Sequence, residues 1–211
     1  MSKIEDVKAK LEAGKAKLIP SLVQEALDAG SEAKDILQAM IDSMGVVGDA
    51  FSKGEIFVPE MLMAAKAMTK GVDVLRPLLV GDTSSSKGTC IIGTVQGDLH
   101  DIGKNLVAMM IESAGFDVVD LGVDVSPAKF IEAIKENKNV TIVGCSGLLT
   151  TTMAAMKETV QTIKASGLTG FKVIVGGAPV TQEYATEIGA DGFAPDAGSA
   201  AVKAVELAKS L

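Results

Sequence analysis

The chain has 211 residues, 47% hydrophobic and 22% charged, a globular composition long enough for one or two domains with a substantial core. Twenty Lys and Arg against 27 Asp and Glu give a net charge of −7, which argues against a nucleic-acid surface and against an anionic membrane. No apolar run approaches the ~20 residues of a membrane span. The opening Met1-Ser2-Lys3-Ile4-Glu5-Asp6 has no signal-peptide core. Cys90 and Cys145 lie inside apolar runs, so a cytoplasmic protein with buried thiols is expected rather than a disulfide scaffold. With 3% aromatics and no Trp, the core must rest on aliphatics and the ten Met.

The first part reads as four helices. Ile4, Val7 and Leu11 keep helical spacing. Leu22, Val23, Ala26 and Leu27 follow Pro20, which suits a first turn. Ser31 opens a third helix with Ile36, Leu37, Met40, Ile41 and Met44 inward. A fourth follows Pro59 with Met61, Leu62, Ala65, Met68, Val72 and Leu75. Short connections between amphipathic helices imply an antiparallel bundle. Residues 45–58 carry more apolar side chains than a solvated loop needs, which suits either a hydrophobic staple closing the bundle or a lid over a bound group. The stretch 81–87, Gly-Asp-Thr-Ser-Ser-Ser-Lys, reads as a small-polar linker. The expected division is a helical domain over 1–82, a linker at 83–87 and an α/β domain over 88–211.

From 88 onward, strands and helices alternate. Strands are expected at 89–95, 118–121, 140–145, 172–175 and 192–194, and helices at 104–114, 127–137, 153–165, 181–187 and 198–211. Near-continuous apolar strands in this alternation mean a parallel sheet covered on both faces. Five strands suggest a flavodoxin-like (Rossmann-type) α/β layer in the order 2-1-3-4-5, whose switch point lies between the carboxyl ends of strands one and three.

Three loops converge at that switch point. The loop after strand one holds Asp98 and His100, the only histidine. The loop after strand three is Ser146-Gly147-Leu148-Leu149-Thr150-Thr151-Thr152, and strand four ends in Gly176-Gly177-Ala178-Pro179. Standard sites are excluded one by one. Zinc needs three or four ligands, and His100 has no His or Cys near it. A P-loop needs four residues between its glycines, whereas five separate Gly97 from Gly103. The dinucleotide fingerprint is absent, Cys145 and Ser146 stand where a phospho-acceptor aspartate would, and no nucleophile elbow is present. What survives is a single imidazole giving one axial bond to a metal already held by a macrocycle.

Asp98-Leu99-His100-Asp101-Ile102-Gly103 fits a D-x-H-x-x-G motif, Ser146-Gly147-Leu148 an S-x-L, and Gly176-Gly177 a G-G, in order and about forty and thirty residues apart. In these motifs the chain resembles the corrinoid (cobalamin-binding) methyl-carrier proteins of methyltransferase systems and the cobalamin-binding region of methionine synthase. The helical part resembles the cap domain of that branch. The resemblance implies a cobalamin or related corrinoid, cycling between methylcob(III)alamin and cob(I)alamin and bound base-off, His-on. His100 would be the cobalt axial ligand. Asp98 and Thr152 would form a relay behind it, with Thr152 where the family often has serine. Asp101, Ile102 and Gly103 complete the loop. Gly93 and Thr94 would leave room for the nucleotide tail. Ser146, Leu148, Thr150, Gly176 and Gly177 would flank the corrin or the tail. Phe51 and Val58 would cover the upper face, Val58 being smaller than the residue expected there.

The implied function is methyl transfer between a substrate:corrinoid methyltransferase and a methylcorrinoid:acceptor methyltransferase, with tetrahydrofolate or coenzyme M as acceptor. A reductive activase would be a further partner. Methylamines, methanol, betaines and methoxylated aromatics all remain open as donors. Rival readings are an adenosylcobalamin-dependent mutase subunit, against which the helical cap speaks, and a cobalamin-sensing regulator, for which no basic DNA-reading helix is present. A plain interaction module is the third.

Overall fold

Apolar residues three and four apart decide the first half of the structure, a computed structural model that describes residues 3–79 and 86–211. Helix α1 (Lys3–Glu12) buries Val7 and Leu11, and α2 (Ile19–Asp28) buries Ile19, Val23 and Ala26 with Pro20 in its first turn. Helix α3 spans Ala33–Ser52 and α4 spans Val58–Leu79. The Glu60 carboxylate accepts the Phe57 N–H at 2.9 Å, satisfying one of the orphan donors that open α4. Gly71 of α4 lies against the Met40 side chain of α3, where a β-carbon would collide with it.

Helix α3 differs from the expectation at both ends. It begins at Ala33, with Glu32 rather than Ser31 flanking it, and it runs on through Gly45 and Gly48 to Ser52. Only 53–57 connect it to α4. The burial repeat explains the length. Met40, Met44, Val47 and Gly48 are all buried at positions i, i+4, i+7 and i+8. A helical glycine costs ~1 kcal/mol relative to alanine, whereas a buried Met or Val contributes ~1.5–3 kcal/mol. Most of the apolar segment read as a staple or lid is therefore the last two turns of a packed helix.

The described residues fall into two compact units, and the second, from Ser86 onward, is α/β. The linker expected at 83–87 lies, up to Ser85, outside the described residues. Strands β1 (Thr89–Thr94), β2 (Asp117–Asp120), β3 (Val140–Ser146), β4 (Lys172–Gly176) and β5 (Gly192–Ala194) form one parallel sheet in the order β2-β1-β3-β4-β5, as expected. Helices α5 (Ile102–Ser113), α6 (Pro127–Glu136), α7 (Met153–Ala165), α8 (Gln182–Ile188) and α9 (Ala197–Ala208) connect and follow them. Ser126, Thr181 and Asp196 cap α6, α8 and α9 by accepting backbone N–H groups, and Gly189 ends α8 at φ 84°.

Register assigns the two faces. Gly93, Cys145, Val175 and Phe193 align across the sheet, and a β-carbon on Gly93 would lie 3.0 Å from Phe130 of α6. Ile92, Gly144, Ile174 and Gly192 form the next row, and a β-carbon on Gly192 would lie 3.0 Å from Leu207 of α9. Asp120, aligned with Ile92, is ion-paired to Lys104 of α5. Hence α6 covers one face and α5 with α9 the other, because successive side chains of a strand alternate. The main core lies on the α6 face, where Ile91, Val95, Phe130, Val143, Cys145, Met156 and Val175 cluster. On the other face α9 packs with alanines, Ala197, Ala200, Ala201 and Ala204, all buried.

Among the described residues no helix is long and apolar enough to cross a membrane. Cys90 and Cys145 are both free and buried, and burial pushes each thiol up to about 12. At pH 8 neither holds a useful thiolate fraction in the folded state. A thiolate-directed reagent should leave the native protein unlabelled at that pH and modify two thiols after denaturation. Rapid modification of either in native buffer would contradict the packing.

Candidate functional site

The carboxyl edge of β1 is built to turn sharply and then hold still. Thr94 donates its N–H to Gly122, Val95 bridges to Val125, and the Val95 N–H reaches the Ser146 carbonyl at 2.9 Å. Gly97 then takes φ 82°, a left-handed value that glycine adopts at no steric cost. This drops the next residue, Asp98, beneath the loop, where its side chain is fully buried.

Asp98 is surrounded by donors. One carboxylate oxygen accepts the His100 N–H at 3.1 Å and lies 2.7 Å from His100 Nδ1. The other accepts the Leu148 N–H at 2.6 Å and the Leu149 N–H at 3.3 Å, and lies 3.1 Å from Thr152 Oγ1. The Thr152 hydroxyl also lies 2.9 Å from the Leu149 carbonyl, so its one proton serves one acceptor at a time. Burial alone would push the Asp98 carboxyl up. The donors from Leu148, His100 and Thr152 outweigh it and hold the group well below the usual carboxylate range. Asp98 is thus a buried anion satisfied by hydrogen bonds, each worth ~1.5–3 kcal/mol when the acceptor is charged.

The consequence for His100 is a defined tautomer. Facing a carboxylate, Nδ1 is the donor, and in the neutral imidazole this leaves the lone pair on Nε2. The side chain is 51% exposed. The two loops that meet at Asp98, and the start of α5, expose large apolar side chains: Leu99 (72% exposed), Ile102 (77%), Leu148 (44%) and Leu149 (39%). Thr94, fully buried, fastens the loop from beneath by donating its hydroxyl to the His100 carbonyl at 2.9 Å. Among the described residues no three His, Cys, Asp or Glu side chains gather as a metal-binding group. The donor set is one imidazole nitrogen in apolar surroundings, which suits a metal whose other ligands come from elsewhere.

Comparison with known proteins agrees. Residues 88–205 match the model of a B12 binding domain, and residues 3–76 match a second B12 binding domain model. The chain belongs to the B12-binding corrinoid proteins. It is 42% identical over 204 residues to dimethylamine corrinoid protein 1 of Methanosarcina acetivorans, covering 95% of this chain and 89% of the relative. It is 39% identical over 216 residues to a corrinoid protein of Desulfitobacterium hafniense, covering 100% and 98%. Among solved structures, a cobalamin-binding protein from Desulfitobacterium hafniense DCB-2 superposes with a TM-score of 0.81 at 31% identity, over 98% of this chain and 97% of that one. The methanol:cobalamin methyltransferase complex MtaBC of Methanosarcina barkeri gives a TM-score of 0.83 at 29% identity, over 99% of this chain and 80% of the matched chain.

In this corrinoid protein the site residues fit a corrinoid. A β-carbon on Gly103 would meet no protein atom within 4 Å, so packing within the chain does not demand glycine there. The space above it is room that a macrocycle held by His100 would use. Asp101 and Ile102 are exposed where α5 begins, and the Asp101 carbonyl accepts the Asn105 N–H at 2.7 Å. Thr150 is exposed in the one-turn helix Thr150–Thr152. Ser146 is half-buried in the row of Thr94 and Gly176, on the α5 and α9 face. Phe51, half-buried, and Val58, 38% exposed, belong to the helical unit.

Packing surrounds Gly93, Gly176 and Gly177. A β-carbon on Gly93 would lie 3.0, 3.1 and 3.3 Å from Phe130, Val125 and Leu121, on the face opposite α5. Gly176 and Gly177 permit close backbone contact. A β-carbon on Gly176 would lie 2.7 Å from the Ala194 carbonyl, and one on Gly177, at φ 130°, would collide with the Gly147 carbonyl. They let the β3 loop sit on the end of β4, where the Gly147 N–H donates to the Gly176 carbonyl at 3.1 Å. Leu99 escaped sequence reasoning: it is 72% exposed beside His100 in the chain, and the signal was a large apolar residue in a loop.

A Gly93→Leu substitution should therefore act on the fold. Overpacking against Phe130 should lower stability by ~1–3 kcal/mol, read as a reduced urea midpoint. An unchanged midpoint would show that the α6 face has spare room.

Proposed function

We propose that this protein carries a methyl group on the cobalt of a corrinoid, between a substrate:corrinoid methyltransferase and a methylcorrinoid:acceptor methyltransferase. The reading rests on one observation above the others, the exposed Nε2 of His100 held by a buried carboxylate at the carboxyl edge of the sheet. The B12-binding family match supports it independently.

When bound, the corrinoid supplies the cobalt that takes up and gives up the methyl group. The chain's residues do the rest. His100 would hold the cobalt through Nε2, in a base-off, His-on arrangement. Asp98 keeps the other ring nitrogen protonated, which fixes the tautomer and raises the basicity of Nε2. Thr152, hydrogen-bonded to Asp98, completes a relay through which a proton can reach the imidazole as it lets go. Leu99, Ile102, Leu148 and Leu149 give the macrocycle an apolar bed. The nucleotide tail belongs on the α5 and α9 face, with Thr94 and Ser146, rather than beside Gly93. Phe51 and Val58 belong to the helical unit, to which we assign the role of a cap that keeps water from the cofactor.

The partners follow from what the site omits. The chain's chemistry is spent on holding one cofactor, so donor and acceptor must be brought by other proteins, with a reductive activase to rescue oxidised cobalt. A methylated amine is the first donor to test, given the relative named dimethylamine corrinoid protein 1. Tetrahydrofolate and coenzyme M are the candidate acceptors, and the cytoplasm is the compartment that holds them.

Purified protein incubated with hydroxocobalamin should retain the corrinoid through gel filtration and show a histidine-ligated absorption spectrum. His100→Ala should lose that spectrum while keeping its melting temperature, since the side chain is half in solvent. A variant with an unchanged spectrum would overturn the ligand assignment.

A further inference from the structure

We propose that Asp124 is a positioning residue for the imidazole ligand, acting through the backbone of Gly97 and Asp98; the inference rests on His100 as the cobalt ligand. Past Asp120, the chain does not leave the sheet at once. Residues 121–125 run on beside β1: the Leu121 N–H donates to the Ile92 carbonyl at 2.8 Å, the Thr94 N–H to Gly122 at 3.0 Å and the Val125 N–H to Thr94 at 2.9 Å. Asp124 sits within this zipped segment at φ 52°, one of two non-glycine residues with positive φ among those described. Side chains rarely adopt that conformation, and Asp and Asn tolerate it best.

The conformation serves a bracket. The Asp124 carboxylate accepts the Gly97 N–H at 2.7 Å, and the Asp124 N–H donates to the Asp98 carbonyl at 3.0 Å. One residue thus holds both sides of the Gly97–Asp98 peptide. Together with the Thr94 hydroxyl on the His100 carbonyl, the main chain on either side of the Asp98 side chain is tied to β1 and its neighbour. Neither Asp124 bond reaches the imidazole. Their effect is on aim: Gly97 is an exposed glycine at φ 82°, and without Asp124 only the Asp98 N–H on the Val95 carbonyl at 3.1 Å would close the turn around it. Asp98 would then sample several backbone orientations beneath the ring, and fewer of them would point Nε2 at the metal. Changing an outer partner of a metal-binding histidine costs ~10–100-fold in ligation, and a backbone bracket belongs at the low end.

The test uses the full chain, its histidine labelled with nitrogen-15, loaded with cob(II)alamin and frozen for electron paramagnetic resonance, so that a two-line splitting marks the imidazole and a three-line splitting the cofactor's own benzimidazole. Splitting by the imidazole nitrogen reports the ratio of ligated to unligated cobalt, independently of how much corrinoid was taken up. Asp124→Gly removes the carboxylate while relieving the left-handed backbone; the ratio should fall ~10-fold with little change in melting temperature. Asp124→Asn keeps an acceptor oxygen and the tolerance for positive φ, and should restore the ratio. A readout without cofactor accompanies these: the Gly97 amide in the unloaded protein should exchange with solvent faster in Asp124→Gly than in the parent or in Asp124→Asn. If Asp124→Gly keeps the parental ratio and the parental exchange rate, the inference is overturned. If the parent itself shows no splitting by the imidazole nitrogen, the His100 reading falls, while the Gly97 exchange still decides whether Asp124 holds the loop.

Discussion

A carboxylate buried without a cation beside it is expensive, and the arrangement of this site follows from meeting that expense. Asp98 is fully buried, and an unsatisfied anion there would cost several kcal/mol. Its donors come from its own loop and from the loop after β3, in the persons of His100, Leu148, Leu149 and Thr152. Together these donors make the charge tolerable, so the charge fixes the relative position of two loops that are some fifty residues apart in the chain. The imidazole inherits that rigidity. Its tautomer, its aim and the apolar collar of Leu148 and Leu149 are all set by one buried group.

The parallel sheet explains why this can happen at one edge. All five strands run the same way, so their carboxyl ends gather the loops that follow β1, β3 and β4. At the switch between β1 and β3 those loops lead in opposite directions. The helices that leave them lie on opposite faces, α5 on one and α7 toward the other, and the loops between are left to face outward. Glycine does its work here by close approach. Gly176 and Gly177 bring the end of β4 against the β3 loop, which seats Leu148 and Leu149 so that both their N–H groups reach Asp98.

How much of this could be read beforehand depended on whether a pattern has a period. The strand runs were continuous and bounded by loops, so the sheet, its order and four of the five helices of the α/β part were legible to within two residues, and the fifth to within three. The pairing of Asp98 with His100 was legible because two positions apart in a tight loop places both side chains on one side. The parity of β1 was not. A strand buried on both faces shows no alternation between apolar and polar residues, so nothing in the run of 89–95 says that Gly93 faces α6 while Thr94 faces α5. The length of α3 was hidden for a different reason: Gly45 and Gly48 resemble breakers, and only tertiary burial of Met44, Val47 and Gly48 keeps the helix going. Asp124 gave no signal at all, being an exposed acid in a loop.

The distribution of hydrogen bonds around Asp98 bears on how a single ligand can be both firm and exchangeable. Two of its contacts come from His100, one through the ring and one through the backbone N–H. The others come from residues that the metal never touches. If the ring swings away, the contact at Nδ1 is lost but Leu148, Leu149, Thr152 and the His100 backbone still hold the carboxylate. The loop therefore keeps its shape through the excursion, and the ring returns to the same partner without a search. A site made of three or four protein ligands would have no such freedom, because each would have to break together. A lone histidine over a buried, independently satisfied aspartate can thus leave and regain its position without disturbing the loop that carries it.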